Sequence, residues 1–269
     1  MRRGLVATSG QARGLIAAGR VLVGGAPTAN VARLVGAEEP IRLEGPAPRF
    51  VSRGGDKVDA ALDRFRVDVQ HRRVLDAGAS TGGFTDCVLQ RGAREVVAVD
   101  VGHGQLHERL RQDPGVNVLE RTNIRTLEPA SIGGVVDVVV ADLSFISLRT
   151  AARNLVAACR PGGDLVLLVK PQFEAKHAEA SRGRGVIKDP EVWHRTLLEV
   201  GGTFGQQGAA IMGAMVSPLR GAQGNVEFFL HAVADGSVAT PALGGLVAAA
   251  VTEVDEHSAG EPVAEEGRL

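Results

Sequence analysis

Two hydrophobic periodicities divide the chain. Near the amino terminus the apolar positions are sparse. Residues 8–18 (TSGQARGLIAA) predict a short helix, capped by Thr8 or Ser9 and buried through Leu15 and Ile16. Gly19 stops that helix. Val21 and Val23 alternate as a short strand, Gly24-Gly25 turns it, and Ile41 and Leu43 supply a partner strand. Residues 45–55 (GPAPRFVSRGG) are rich in Pro and Gly and predict a linker. Residues 56–66 predict an amphipathic helix with Val58, Ala61, Leu62 and Phe65 inward.

From residue 72 the pattern becomes short, near-continuous apolar runs separated by helical stretches. Strands are predicted at 73–79, 95–101, 116–119, 135–145, 163–173, 211–216 and 225–233. Helices are predicted at 85–91 and 148–159, and from 192 and 246 onward. Runs that are apolar on both faces, alternating with helices, indicate a parallel sheet covered on both sides. The expected class is α/β, a doubly wound domain preceded by a small α+β domain. The expected divisions are 1–44, a linker at 45–55, 56–234, and a C-terminal helix with a disordered acidic tail at 235–269.

Composition alters this picture where it is uneven. The formal charge of −1 argues against a protein that blankets phosphates with cations. Yet residues 1–66 carry a net +5, residues 67–230 none, and residues 231–269 a net −6. A basic head suits a nucleic-acid-facing domain. With no Tyr, one Trp and eight Phe, stacking of many bases on aromatics is not expected. Cys87 and Cys159 form no disulfide framework and have no metal-ligand neighbourhood, so no metal is expected. No apolar run reaches the ~18 residues of a membrane span, and no signal-peptide core opens the chain. A reduced, cytoplasmic location is therefore expected. Of 30 basic residues only four are Lys: Lys57, Lys170, Lys176 and Lys188. Arg stays protonated, whereas Lys can lose its proton when its surroundings favour that.

Candidate chemistry gathers at strand ends. In VLDAGASTGGF (74–84) a strand ends at Asp76 and Gly78, Gly82 and Gly83 follow. Glycines permit a tight turn and close approach of a ligand to the backbone. The spacing is neither G-x-G-x-x-G nor a P-loop. Asp76 suits a cationic amine, and Asp100, ending the next strand, suits ribose hydroxyls. S-adenosylmethionine fits both; a dinucleotide or a purely structural turn stays open. Asp142, in ADLSF, should face the same cleft, and Leu143-Ser144 replaces the Pro-Pro-aromatic pattern of base N-methyltransferases. Lys170 ends the fifth strand and Glu227 falls within the last.

The motifs VSRGGDK (51–57), LDAGASTGGFTD (75–86), VDVGHGQL (99–106), LERTN (119–123), VVADLSFISL (139–148), LVKPQFE (168–174) and GNVEFFL (224–230) stand in an order that resembles the TlyA family of RNA 2′-O-methyltransferases, often labelled hemolysins. The resemblance covers most of the chain. It implies a Rossmann-like class I methyltransferase domain related to FtsJ. The 19–25 passage resembles the small RNA-binding domain of ribosomal protein S-four. It further implies a catalytic tetrad at Lys57, Asp142, Lys170 and Glu227, and a cofactor site of Asp76, Gly78, Ser80, Thr81, Gly82, Gly83, Phe84, Asp100 and Asn123. The implied acceptor is a cytidine 2′-hydroxyl of ribosomal RNA, presented on rRNA or ribosomal subunits; the sequence does not fix the oligomeric state, and a monomer is favoured. Arg13, Arg20, Arg49 and Arg53 are expected on phosphates, with Arg182 and Arg184 in a mobile loop over the site. Relatives carry a further N-terminal helical segment, so a shortened first helix is expected here. Phe50 and Pro48 stand where some relatives have Trp and Arg in the linker.

Overall fold

The structure is a computed structural model that describes residues 3–6, 9–45, 48–221, 223–238 and 241–259. The Thr8 cap and the tail beyond 259 lie outside these residues.

The amino-terminal unit contains α1 (Ser9–Ala17), β1 (Val21–Val23), β2 (Ala26–Pro27) and β3 (Ile41–Leu43). β1 is the centre of a three-stranded antiparallel sheet, paired to β2 on one side and β3 on the other. Leu15, Val21 and Val23 form its own small core, with Val6, Ile16, Val35, Ile41 and Leu43 around it. The linker expected at 45–55 is shorter than its composition suggests. Helix α2 (Gly54–Phe65) already begins at Gly54, and Phe50 is only 3% exposed. A Cβ on Gly55 would lie 2.3 Å from the Phe50 ring, so the glycine is what lets this ring lie flat against the helix.

The larger unit runs β4 (Arg73–Ala77), α3 (Gly83–Gln90), β5 (Glu95–Val99), α4 (Glu108–Arg111), β6 (Val116–Leu119), β7 (Val136–Ala141), α5 (Ala152–Ala158), β8 (Cys159–Val169), α6 (Pro171–Glu174), α7 (His177–Arg182), α8 (Pro190–Gln206), β9 (Ala210–Val216), β10 (Phe228–Val233) and α9 (Leu243–Ala259). The sheet order is β6-β5-β4-β7-β8-β10-β9, parallel except that β10 is antiparallel to both neighbours. Val138, Val140, Val166, Leu168 and Phe229 pack beneath α2 and α3 on one face. Leu75, Val139, Leu165, Leu167 and Phe228 pack beneath α5, α8 and α9 on the other. Burial on both faces explains why these strands read as continuous apolar runs.

Among the boundaries that differ from expectation, two bear on the site. The fifth predicted strand ends at Val169, because Pro171 cannot donate to a ladder and instead opens α6. The last strand begins at Phe228, so Glu227 precedes it rather than lying within it. The chain winds outward through β5 and β6, then returns to place β7 beside β4. This reversal opens a crevice at the carboxyl ends of β4 and β7, where ligands settle in sheets of this kind.

Candidate active site

Three carboxylates converge on that crevice. Asp76 is the penultimate residue of β4, Asp100 follows β5 and Asp142 follows β7. Asp76 has no solvent exposure. Its Oδ2 accepts from Thr85 Oγ1 at 2.6 Å, while Oδ1 is buried without a partner among the described residues. Burial pushes its pKa up to about 7; the Thr85 bond opposes this, and the nearby Asp142 and Asp100 charges add to it. Such a group is prepared for a cation. Asp100 accepts from Ser80 N at 2.8 Å and Gly102 N at 2.6 Å, leaving lone pairs on both oxygens.

The glycine turn is set by close packing as much as by ligand approach. Gly78 has φ +89, and a Cβ there would lie 2.4 Å from the Asp142 carbonyl oxygen. Gly82 abuts Leu106 and Leu110, and Gly83 abuts Ser52 and the amide of Gly55. Gly78 N and Ala79 N both donate to Val99 O, at 2.8 and 3.1 Å. Ser80 is exposed at φ 47, and the Thr81 carbonyl accepts from His107 N at 3.2 Å. The Phe84 side chain, expected at the cofactor, is instead in the core, stacked on Phe229 at 6.2 Å. Asn123 caps the short turn after β6 through Arg125 N at 3.1 Å.

The expected tetrad assembles as two ion pairs. Lys57, in the first turns of α2, pairs with Glu227. Lys170 pairs with Asp142 and donates to Ser144 Oγ at 2.8 Å. The lysine side chains are each 11% exposed and that of Glu227 is 3%. Phe228 pairs with Val169, which sets Glu227 across from Lys170 one step beyond the ladder. Gly221 covers Glu227, since a Cβ there would lie 2.5 Å from its Oε1. Among the described residues no group of three or more His, Cys, Asp or Glu is arranged to hold a metal ion. Cys87 and Cys159 are buried, with thiols that burial pushes up to about 12, so both are inert core residues.

Other expected contacts are redistributed. Arg20 Nε donates to the Glu44 carbonyl at 2.7 Å and so braces the end of β3. Arg49 pairs with Asp59, its guanidinium 4.7 Å from the Phe50 ring centroid. Each therefore has a partner within the fold, and the Arg49 side chain remains 57% exposed. Arg13 and Arg53 are exposed and have no recorded partner among the described residues. Arg182 and Arg184, expected in a mobile loop, occupy the end of α7 and a tight turn after it, and both are exposed.

Several polar residues that the sequence reading passed over support these parts. Asp86 accepts from Val51 N at 2.8 Å and from Arg109 at 2.8 Å through both oxygens, tying the linker to the glycine turn's helix. Glu174, 4% exposed, accepts from Ser147 Oγ at 2.5 Å and Leu148 N at 2.7 Å, joining the segments after β7 and β8. Glu120 accepts from Arg111 at 2.5 Å and Gly104 N at 2.8 Å, and the Arg111 hydrogen bond leads in holding its pKa down at about 2. Phe145 also went unread. It is 88% exposed at φ 65, with its ring 5.4 Å from that of Phe173, which in turn lies 6.0 Å from Lys170 Nζ.

Comparison with known proteins bears on the same regions. Residues 50–233 match the model of the FtsJ-like methyltransferases. The 16S/23S rRNA (cytidine-2′-O)-methyltransferase TlyA of Mycobacterium tuberculosis is 48% identical over 231 residues, covering 86% of each chain. Hemolysin A of Brachyspira hyodysenteriae is 34% identical over 229 residues, covering 85% of this chain and 95% of its own. A solved structure named as a hemolysin, from Streptococcus thermophilus, superposes with a TM-score of 0.78 at 35% identity, covering 96% of this chain and 95% of that one. With the sheet order, the glycine turn and the ordered motifs in agreement, this chain belongs to the TlyA family of FtsJ-like methyltransferases.

Proposed function

We propose that the protein transfers the methyl group of S-adenosylmethionine to the 2′-hydroxyl of a cytidine in ribosomal RNA. The observation that carries the reading is the pair of lysine–carboxylate contacts, Lys57–Glu227 and Lys170–Asp142, at the mouth of the crevice lined by Asp76 and Asp100. A similar protein, the mycobacterial TlyA, is named for this reaction on 16S and 23S rRNA.

The chain's own residues fit this cofactor. The buried, unpartnered Oδ1 of Asp76 suits an ammonium or sulfonium, and Asp100 keeps lone pairs for ribose hydroxyls. Gly78 and Ser80 let the turn approach a ligand closely, while Thr81, Gly82 and Gly83 shape its far side. Asn123 would stand beside the adenine or ribose. When bound, the cofactor supplies an activated methyl on a cationic sulfur.

A ribose hydroxyl is a weak nucleophile, so the chain must align it and take up its proton. Glu227 accepts a hydrogen bond from the 2′-hydroxyl, and Lys57 holds that carboxylate in place. Lys170 steers or receives the proton, with Asp142 and Ser144 fixing its amine. The exposed Phe145 ring, set against the half-buried Phe173 beside Lys170, offers a face for the base of an extruded nucleotide. The small amino-terminal unit, resembling the RNA-binding domain of ribosomal protein S-four, presents Arg13 on α1 to folded RNA by shape and charge.

A membrane-active reading, suggested by the hemolysin names, has less support: among the described residues no helix is long and apolar enough to cross a membrane. The deciding experiment supplies tritiated S-adenosylmethionine with separated ribosomal subunits and naked rRNA, then maps the label. Label on a cytidine ribose is expected. Label on a base, or on no RNA, overturns the proposal.

A further inference from the structure

Three motifs contain a buried polar residue outside the tetrad and cofactor site: Asp86 in LDAGASTGGFTD, Glu174 in LVKPQFE and Asn225 in GNVEFFL. Asn225 is 2% exposed. Its Oδ1 accepts from Ile187 N at 2.9 Å, and its Nδ2 donates to Gly185 O at 2.8 Å. One amide thus binds the backbone of a single three-residue segment some forty positions earlier in the chain. An acceptor faces an N–H and a donor faces a carbonyl, so neither a carboxylate nor a flipped amide satisfies both.

We propose that Asn225 is a positioning residue that fixes a basic strap, residues 182–188, to the strand end carrying Glu227. The inference rests on the RNA reading given above. On the catalytic side, Asn225 O accepts from Gly221 N at 2.9 Å, and Gly221 is the residue that covers Glu227. On the strap side, Ile187 is buried and its carbonyl accepts from Trp193 Nε1 at 3.1 Å. The strap itself has a tightly turned backbone. Gly185 N donates to Ala180 O at 2.8 Å and Val186 N to Gly183 O at 2.9 Å. A Cβ on Gly183 would lie 1.9 Å from Val186 O, and Arg184 is left-handed at φ 51.

That conformation displays Arg182, Arg184 and Lys188, all exposed and without a recorded partner among the described residues. Three unneutralised cations within seven residues suit the phosphates of a polyanion. Asn225 holds them at a set distance from the carboxylate two residues away. RNA phosphates seated on the strap therefore place the acceptor ribose at Glu227. Without the Asn225 bonds the cations persist but lose their register with the site.

The test compares Asn225→Ala, the isosteric Asn225→Asp, the surface triple variant Arg182→Ala/Arg184→Ala/Lys188→Ala, and their combinations. Methyl transfer to ribosomal subunits is followed at several salt concentrations, and S-adenosylmethionine binding by calorimetry. Asn225→Ala and the triple variant should each raise the KM for RNA about tenfold with cofactor affinity unchanged. Both should flatten the dependence of that KM on salt, although Asn225→Ala retains every cation. Asn225→Ala added to the triple variant should cost little more, because both remove one device. If Asn225→Ala does not fold, Asn225→Asp, which keeps the Ile187 bond but turns an acceptor toward the Gly185 carbonyl, serves in its place. Fully additive effects, an unchanged KM for RNA, or an unaltered salt dependence in the Asn225 variants would overturn the proposal. Failure of the wild-type protein to label any RNA would instead overturn the function on which it rests.

Discussion

Glu227 and Lys170 stand opposite each other, one step past the last paired residues of β10 and β8, yet each is bound to a different partner. Lys57 takes the carboxylate and Asp142 takes the amine. The antiparallel arrival of β10 brings a carboxylate to the edge where the parallel strands deliver their own functional ends. The acceptor site lies between these two pairs in the proposed reaction, and four predictions follow from its surroundings.

Lys170→Arg keeps the positive charge but replaces an amine that can pass on a proton with a guanidinium that stays protonated. Transfer to RNA should fall by at least a hundredfold while S-adenosylmethionine binding, measured by calorimetry, persists. Near-normal transfer by this variant would remove Lys170 from the proton's path.

Asp76 ties cofactor binding to pH. In the fold its pKa stands at about 7, well above an aspartate's ordinary 3.8, chiefly because of burial. The neutral form is therefore favoured in the empty fold. Its contribution to stability is complete below about pH 4 and is lost as pH rises to about 7. A cationic ligand reverses the preference and expels the proton. Affinity for S-adenosylmethionine should tighten about tenfold between pH 6 and 8, with proton release detectable in buffers of different ionisation enthalpy. Asp76→Asn should flatten that slope, and a pH-independent affinity of the wild type would exclude this role.

Phe145 combines full exposure with a left-handed backbone that costs a side-chain-bearing residue ~1–2 kcal/mol. Phe145→Gly relieves that strain, so thermal unfolding should not move downward. Transfer to RNA should nonetheless fall through a raised KM for RNA. A loss of several degrees in Tm would show that the ring packs rather than waits for a base.

Gly55→Ala forces a methyl into the Phe50 ring, where a Cβ would lie 2.3 Å from the nearest ring atom. Overpacking of this kind costs ~1–3 kcal/mol. Chemical denaturation should register that loss, and the double variant with Phe50→Ala should cost less than the two single changes combined. Strict additivity would mean that the two residues do not share this contact.

Much of this site was legible at the strand ends. Asp76, Asp100, Asp142 and Lys170 each follow a strongly apolar run, and a parallel sheet puts such positions on one edge. Lys57 stood out only through the scarcity of lysine and the family resemblance. Its bond to Glu227 joins positions 170 residues apart, and no local pattern encodes that. The partners of Arg20 and Arg49 within the fold could not be foreseen, because an arginine's sequence neighbours do not disclose a carbonyl or carboxylate waiting across the fold. Asp86, Glu174 and Asn225 were overlooked for the converse reason. A polar residue enclosed in the interior looks, in one dimension, like any solvated one. The Phe84 side chain belongs to the core because the helix it opens turns that position toward Phe229.

The separation of Lys57 from Glu227 also has a meaning in time. Among the described strands β10 is the last in chain order, and its place is inside the sheet, between β8 and β9. A growing chain that has already made the glycine turn, Asp142 and Lys170 still lacks the carboxylate that Lys57 requires. The final strand must insert between two earlier ones before the pair can form, a non-local step that folding reaches late. A chain cut before Glu227 leaves Lys57 without its carboxylate, and such a chain should not modify RNA.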